Sequence, residues 1–293
     1  MDSLTLYVLL VHVSFSFKLS CPVVAQGSSP AAMFVFGDSL SDVGNNNYIN
    51  TTARCNFPHY GIDYPGGKPT GRFSNGKNFV DLLAEKLRVP SPKPYLSLFK
   101  TDNPLEFLEG VNFASGSAGI LTSTHQRILE LGARKLVFIG TEPVGCWPAV
   151  RASNKSPGDC NKEINEASSL YNEEVVLLLK KLQSEYSDMR YSFFHSYRVF
   201  DKFIKHPENY GFNESKAACC GMGNLNAEFA CNPLAKYCSD RTKYVFWDGW
   251  HQTEATANLL VSMAFDGLPP NVFPVNVREL SGLNAENAHV IDQ

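Results

Sequence analysis

No run of Lys or Arg occurs in the 293 residues, and 26 basic against 29 acidic side chains leave a net charge of -3. Without a basic stripe there is no electrostatic footprint for nucleic acid or an anionic membrane, so neutral substrates suit the chain better. No internal repeat or low-complexity tract gives ground for dividing it into two domains. A C-x-x-C pair is also missing, and His206 is poorly spaced from the cysteine-rich loop, which argues against a zinc site. The apolar run at residues 4–17 is too short for a membrane span, and no stop-transfer charges follow it. What remains, 44% hydrophobic and 19% charged, is the composition of a globular protein.

That first apolar run, followed by Val23 and Ala25 before Gln26, reads as a secretory signal over residues 1–25, although its start lacks positive charge and Lys18 interrupts it. Residues 26–293 would then form one domain of a secreted, extracellular protein. Sequons at Asn50, Asn154 and Asn213 fit a glycoprotein in that compartment. Eight cysteines are present, and removing Cys21 with the signal leaves an odd number. Cys219, Cys220, Cys231 and Cys238 crowd one Gly- and Asn-rich loop and read as a disulfide-stapled insertion whose pairing the spacing does not give. Cys146 with Cys160 makes a plausible local bridge, and at least one thiol stays unpaired.

The chain is organised around residues 33–48, MFVFGDSLSDVGNNNY. Residues 33–36 have the apolar, aromatic character of a buried strand, which stops at Gly37-Asp38-Ser39. If a helix begins just after, Ser39 sits at a strand's carboxyl end and a helix's amino end, where free N–H groups favour developing negative charge. That is a place for a nucleophile. The plainer reading is a strand-to-helix turn with Asp38 or Ser39 as its cap.

Beyond this stretch, a loop at 50–75 carries Phe57, Tyr60, Tyr64 and Phe73, which either line a cleft or anchor the loop. Helices are expected at 76–87, 124–131, 161–186, 201–205 and 253–265, and strands in 109–121, 135–140, 191–199 and 244–247. On the longest helix the expected core stripe is Ile164, Ala167, Tyr171, Val175, Leu178 and Leu182. The proline-broken tail from Pro269 carries no clear signal. Strands alternating with helices predict an α/β fold with an open, mostly parallel, doubly wound sheet, whose chemistry gathers at the carboxyl ends of strands.

Asp248 and His251, three residues apart after YVFW, can place a carboxylate on one imidazole nitrogen and leave the other facing a pocket. Alone, such a pair is more often a capping Asp beside a half-buried His. Together with Ser39 it makes a Ser-Asp-His set in which His251 deprotonates Ser39 and Asp248 fixes the tautomer.

Residues 33–48 resemble block I of the plant GDSL esterase/lipases, of the SGNH hydrolase superfamily. NFASGSAGI resembles block II, YVFWDGWHQTEATAN block V, and LGARKLVFIGTEPVGCWP and AACCGMGNLNAEFACN later stretches of that family, so the likeness runs from Met33 to about Leu280. The resemblance implies a three-layer, flavodoxin-like fold and hydrolysis of acyl esters or lipids without cofactor or metal. It implies Ser39 as nucleophile, Asp248 and His251 as its partners, and an oxyanion hole from the N–H groups of Ser39 and Gly116. Ser117 stands where glycine is usual, and Gln252 where proline usually follows the histidine. Family members also carry a central strand ending in G-x-N-D, whose Asn is a third oxyanion donor. No G-x-N-D occurs here, and the seam falls at residues 121–126. Its loss implies that the flanking strands pair directly or leave ladder groups orphaned at about 1–3 kcal/mol each. The chain is then a weakened hydrolase, a noncatalytic secreted protein binding an ester, lipid or glycan, or a fragment that does not accumulate.

Overall fold

A computed structural model describes residues 32–99, 101–118, 129, 132–154, 156 and 158–283. The signal segment, the seam at 121–126 and nearly all of the helix expected at 124–131 lie outside the described residues.

The described chain is mixed α/β with small sheets. The strands are β1 (Lys93–Pro94), β2 (Val111–Asn112), β3 (Lys135–Ile139), β4 (Arg190–Phe194), β5 (Glu214–Ala218), β6 (Cys220–Gly221), β7 (Lys236–Tyr237), β8 (Tyr244–Phe246) and β9 (Val272–Pro274). The α-helices are α1 (Phe79–Leu87), α2 (Tyr95–Leu98), α3 (Pro148–Ala152), α4 (Lys162–Glu185), α5 (Ser196–Lys205), α6 (Glu254–Asp266) and α7 (Val277–Ser281). β3 and β4 pair in parallel across the crossover through α4, and β9 adds an antiparallel edge to β4. β5 and β8 pair in parallel, and β6 and β7 form an antiparallel ribbon.

Successive residues of β4 face opposite ways, as the pleat requires. Phe193 packs with Leu129, Val175, Leu179 and Leu182 on the α4 side. Phe194 packs with Phe200, Val245, Leu260 and Val272 among α5, β8, α6 and β9. Both rings are 0% exposed, and each such burial is worth about 1.5–3 kcal/mol.

Several sequence expectations shift for identifiable reasons. α1 begins at Phe79 because Asn78 caps it, accepting from the Val80 and Asp81 amides while Asp81 bonds back to the Asn78 N–H. β4 ends at Phe194 and α5 starts at Ser196, whose hydroxyl donates to the Gly140 carbonyl. On α4 the buried face is Ser168, Asn172, Val175, Leu179 and Leu182, so Ile164, Ala167 and Leu178 of the expected stripe are exposed. Polar Asn172 belongs inside because its amide bonds both the N–H and the carbonyl of Thr141 at the end of β3. The silent tail supplies β9 and α7.

The largest correction concerns residues 33–36. They form no buried strand: among the described residues only Val35 bridges to β2, with its N–H on the Val111 carbonyl and its own carbonyl accepting from Phe113. Phe34 is 55% and Phe36 47% exposed. Nor does this segment pair with β3, whose Val137 and Ile139 also reach solvent. The expected alternative, direct pairing or buried orphans, is resolved a third way. Among the described residues the sheet is divided, and apolar side chains of segment 33–36 and β3 are left exposed.

Candidate functional site

The divided strands still deliver their carboxyl ends to one place. After Gly37 the chain turns back, with the Ser41 and Asp42 amides on the Asp38 carbonyl. No α-helix follows Ser39: a turn leads into a single 3-10 turn, Asn45–Tyr48. The expected helix amino end at Ser39 is therefore not there, and a polar network holds the loop instead. Buried Asp42 accepts from the Gly44 and Asn45 amides at 2.7 Å. Asn45 donates to the carbonyls of Asn112 and Ala114, Asn46 to that of Gly116, and Asn112 to that of Ser41. The Asn-rich end of the opening stretch is stitched in this way to NFASG.

On the other side, β8 ends in a tight turn that carries Asp248 and His251. Asp248 Oδ1 accepts from the Trp250 and His251 amides at 2.8 and 3.0 Å. His251 Nδ1 lies 2.8 Å from Oδ1 and 2.9 Å from Oδ2, and its Nε2 lies 2.8 Å from Ser39 Oγ. Asp248 and His251 are buried, and Ser39 is half-buried. Burial alone would raise the Asp248 carboxyl. The His251 charge, together with hydrogen bonds from His251, Tyr60 and the Trp250 amide, outweighs it and holds the group below its ordinary value. With Nδ1–H on a carboxylate, Nε2 is free to take a proton from a hydroxyl.

The three residues Ser39, Asp248 and His251, singled out in the sequence, are thus brought together across 212 positions of chain. Gly116 is beside them, but its N–H donates to Asp42 Oδ2 at 3.0 Å and does not stand free as an oxyanion donor. The position still demands glycine, since a Cβ would sit 2.4 Å from the Phe73 ring and 2.6 Å from Asn46 Nδ2. Ser117 adopts a left-handed φ of 69°, the conformation that explains why glycine is the usual residue there. Among the described residues the Ser39 N–H has no partner.

Three other side chains surround the site, two of them from the loop whose aromatics the sequence marked as cleft wall or anchor. Phe73, from the long loop, tilts against the His251 ring at 4.9 Å and shares a small cavity with Leu40 and Gln252. Tyr60, from the same loop, donates its hydroxyl to Asp248 Oδ2 at 2.7 Å. Glu142, just past β3, is buried with the Trp147 indole N–H on it at 3.2 Å, and Trp147 meets Trp250 edge to face. Burial pushes the Glu142 carboxyl up to about 8, with Trp147 acting against this and the Asp38 charge adding to it. An aromatic in that loop was legible as an anchor or a cleft wall. Its hydrogen bond to a residue 188 positions away was not.

Disulfides join Cys146–Cys160, Cys219–Cys238 and Cys220–Cys231, and among the described residues Cys55 is left free and buried. The crowded cysteines thus staple a loop that packs with Tyr60, Phe73 and Trp247 behind the site. Among the described residues no cluster of His, Cys, Asp and Glu could hold a metal ion, and no helix is long and apolar enough to cross a membrane.

Comparison with known proteins gives this arrangement a lineage. The family model for GDSL-like Lipase/Acylhydrolase matches in two pieces, residues 33–128 and 120–263, which meet at the sequence seam. Similar proteins from Arabidopsis thaliana include GDSL esterase/lipase At5g55050, 35% identical over 80% of this chain and 86% of its own length. GDSL esterase/lipase At4g28780 is 33% identical over 89% and 93%, and GDSL esterase/lipase At1g71250 is 31% identical over 95% and 96%. The first of these alignments runs for 322 positions while using only 80% of 293 residues, so part of the relative faces a gap here. On this evidence the chain belongs to the GDSL-like lipase/acylhydrolase family.

Proposed function

We propose that the chain is a secreted carboxylic-ester hydrolase, its signal at residues 1–25, that cleaves acyl esters or lipids through Ser39 without a cofactor. The observation that carries this reading is the 2.8 Å approach of Ser39 Oγ to His251 Nε2, with Nδ1 on Asp248. In the reaction, His251 takes the Oγ proton as the oxygen attacks the ester carbonyl carbon, and Asp248 balances the imidazolium. The tetrahedral intermediate collapses to acyl-Ser39 as His251 gives the proton to the leaving alcohol. Water then repeats the sequence and releases the acid.

The oxyanion is the weak point. The Ser39 N–H is one donor, and Gly116 contributes only when Asp42 gives up its N–H. Without a G-x-N-D asparagine, turnover falls by about 10²–10³ for each missing donor. The small sheets fit a three-layer, doubly wound plan that has lost its central strand. The same oxyanion deficit favours a second reading, a noncatalytic secreted protein that binds an ester, lipid or glycan in the retained cleft.

Expression of residues 26–293 and assay of p-nitrophenyl butyrate against Ser39→Ala separates the two. The hydrolase reading expects turnover that Ser39→Ala abolishes. Equal rates from folded wild type and variant would leave the binding reading.

A further inference from the structure

Asp248 is held from two directions. Every hydrogen bond to its Oδ1 comes from its own turn, through the Trp250 amide, the His251 amide and His251 Nδ1. Oδ2 also meets Nδ1, at 2.9 Å, and accepts from the Tyr60 hydroxyl at 2.7 Å, from the distant 50–75 loop.

That loop is built to aim the hydroxyl inward. Residues on both sides of Tyr60 have left-handed backbone, His59 at φ 83° and Gly61 at φ 68°. At Gly61 a Cβ would meet the Lys68 carbonyl oxygen at 2.4 Å, and the Gly61 N–H donates to the Ser74 carbonyl. A non-glycine residue at positive φ persists only where its surroundings over-determine it. The Tyr60 ring is buried, edge-on to Phe57 and Trp247. Behind it, buried Cys55 packs in the same cluster as the Tyr60 ring. Burial, with the Asp248 and Asp42 charges adding to it, pushes that thiol up, so it stays protonated.

We propose that Tyr60 is a positioning residue of the Ser39–His251–Asp248 set, clamping the second oxygen of Asp248 so that the carboxylate cannot turn away from Nδ1. The inference rests on the hydrolase reading above. Two amides and Nδ1 on Oδ1 leave the carboxylate free to tilt about its own axis, and a donor from a second element removes that freedom. The clamp matters most when His251 is charged, because the imidazolium needs the carboxylate in its plane.

The pH consequence follows from the groups that face Asp248, which are His251, Tyr60 and, through Tyr60, Cys55. The Tyr60 bond favours the ionised carboxylate, so removing it lets Asp248 protonate at a higher pH. The acid limb of activity then moves up.

The test uses the secreted chain with Tyr60→Phe, which keeps the ring and deletes only the hydroxyl. Expected are a fall in kcat of about tenfold to a hundredfold, KM unchanged for p-nitrophenyl butyrate, and an acid limb displaced to higher pH. Cys55→Ala, which loosens the packing beside the Tyr60 ring, moves kcat and the limb the same way by less. The low-field Nδ1–H proton resonance of His251, read by NMR, needs no turnover and is expected to shift or broaden in Tyr60→Phe. If wild type is inactive but this resonance moves, the clamp stands and the hydrolase reading falls. A Tyr60→Phe protein that loses thermal stability while its resonance, kcat and pH limb stay at wild type overturns the clamp. Should Tyr60→Phe not fold, Cys55→Ala decides, and an unchanged resonance and pH limb in that variant overturns the proposal.

Discussion

A core strand and the segment that leads to Ser39 are held in opposite ways. β4, behind the base side, has Phe193 and Phe194 at 0% exposure on its two faces and a partner strand along each edge. Segment 33–36, which leads to Ser39, has one bridge among the described residues and two Phe rings about half exposed. Yet Ser39 Oγ and His251 Nε2 meet at hydrogen-bond distance. Burial therefore does not place the nucleophile. The polar loop after it does, through Asp42, Asn45, Asn46 and Asn112.

The sharpest way to break that comparison is to truncate the two segments in parallel. Phe193→Ala is expected to cost about 3–5 kcal/mol in urea unfolding, as removal of a fully enclosed ring does. Asp42→Ala should cost about 3 kcal/mol, because it strands the buried amides of Gly44, Asn45 and Gly116. It should also abolish esterase activity in whatever protein remains folded. A pH series gives the next effect. Folded Glu142 titrates at about 8 against an ordinary 4.5, so across that window the folded state keeps a proton the unfolded chain has lost. Stability is then greatest below the ordinary value and falls as pH rises toward 8, by on the order of a few kcal/mol, after which it levels. Glu142→Gln should flatten that slope in thermal melts from pH 4 to 9. The smallest effect is the most telling: Phe34→Ala should change stability by about 0.5 kcal/mol or less. A loss matching that of Phe193→Ala would mean that the open segment is in fact packed.

The sequence revealed those parts of the molecule whose signal is local. The periodicity at 135–140 and 253–265 located β3 and α6 within a residue or two, and the grouping of cysteines marked the stapled loop. Ser39, Asp248 and His251 stood out because their neighbours carry recognisable motifs. Whatever depends on a distant partner was not legible. Asn172 turns inward for Thr141, so the face of α4 could not be read from hydrophobic spacing alone. The Gly116 N–H belongs to Asp42, 74 positions away, and Tyr60 to Asp248. β9 lay in a tail whose prolines masked it, because an edge strand needs only three residues when its partner is already in place.

The account stands on Ser39 being activated by His251, and covalent labelling reads that directly. Wild-type protein treated with a fluorophosphonate should gain one adduct by intact mass, mapped to the peptide that contains Ser39, and the adduct should disappear in His251→Ala. A folded wild-type protein that gains no adduct, or one whose Ser39 adduct forms equally fast in His251→Ala, would contradict it.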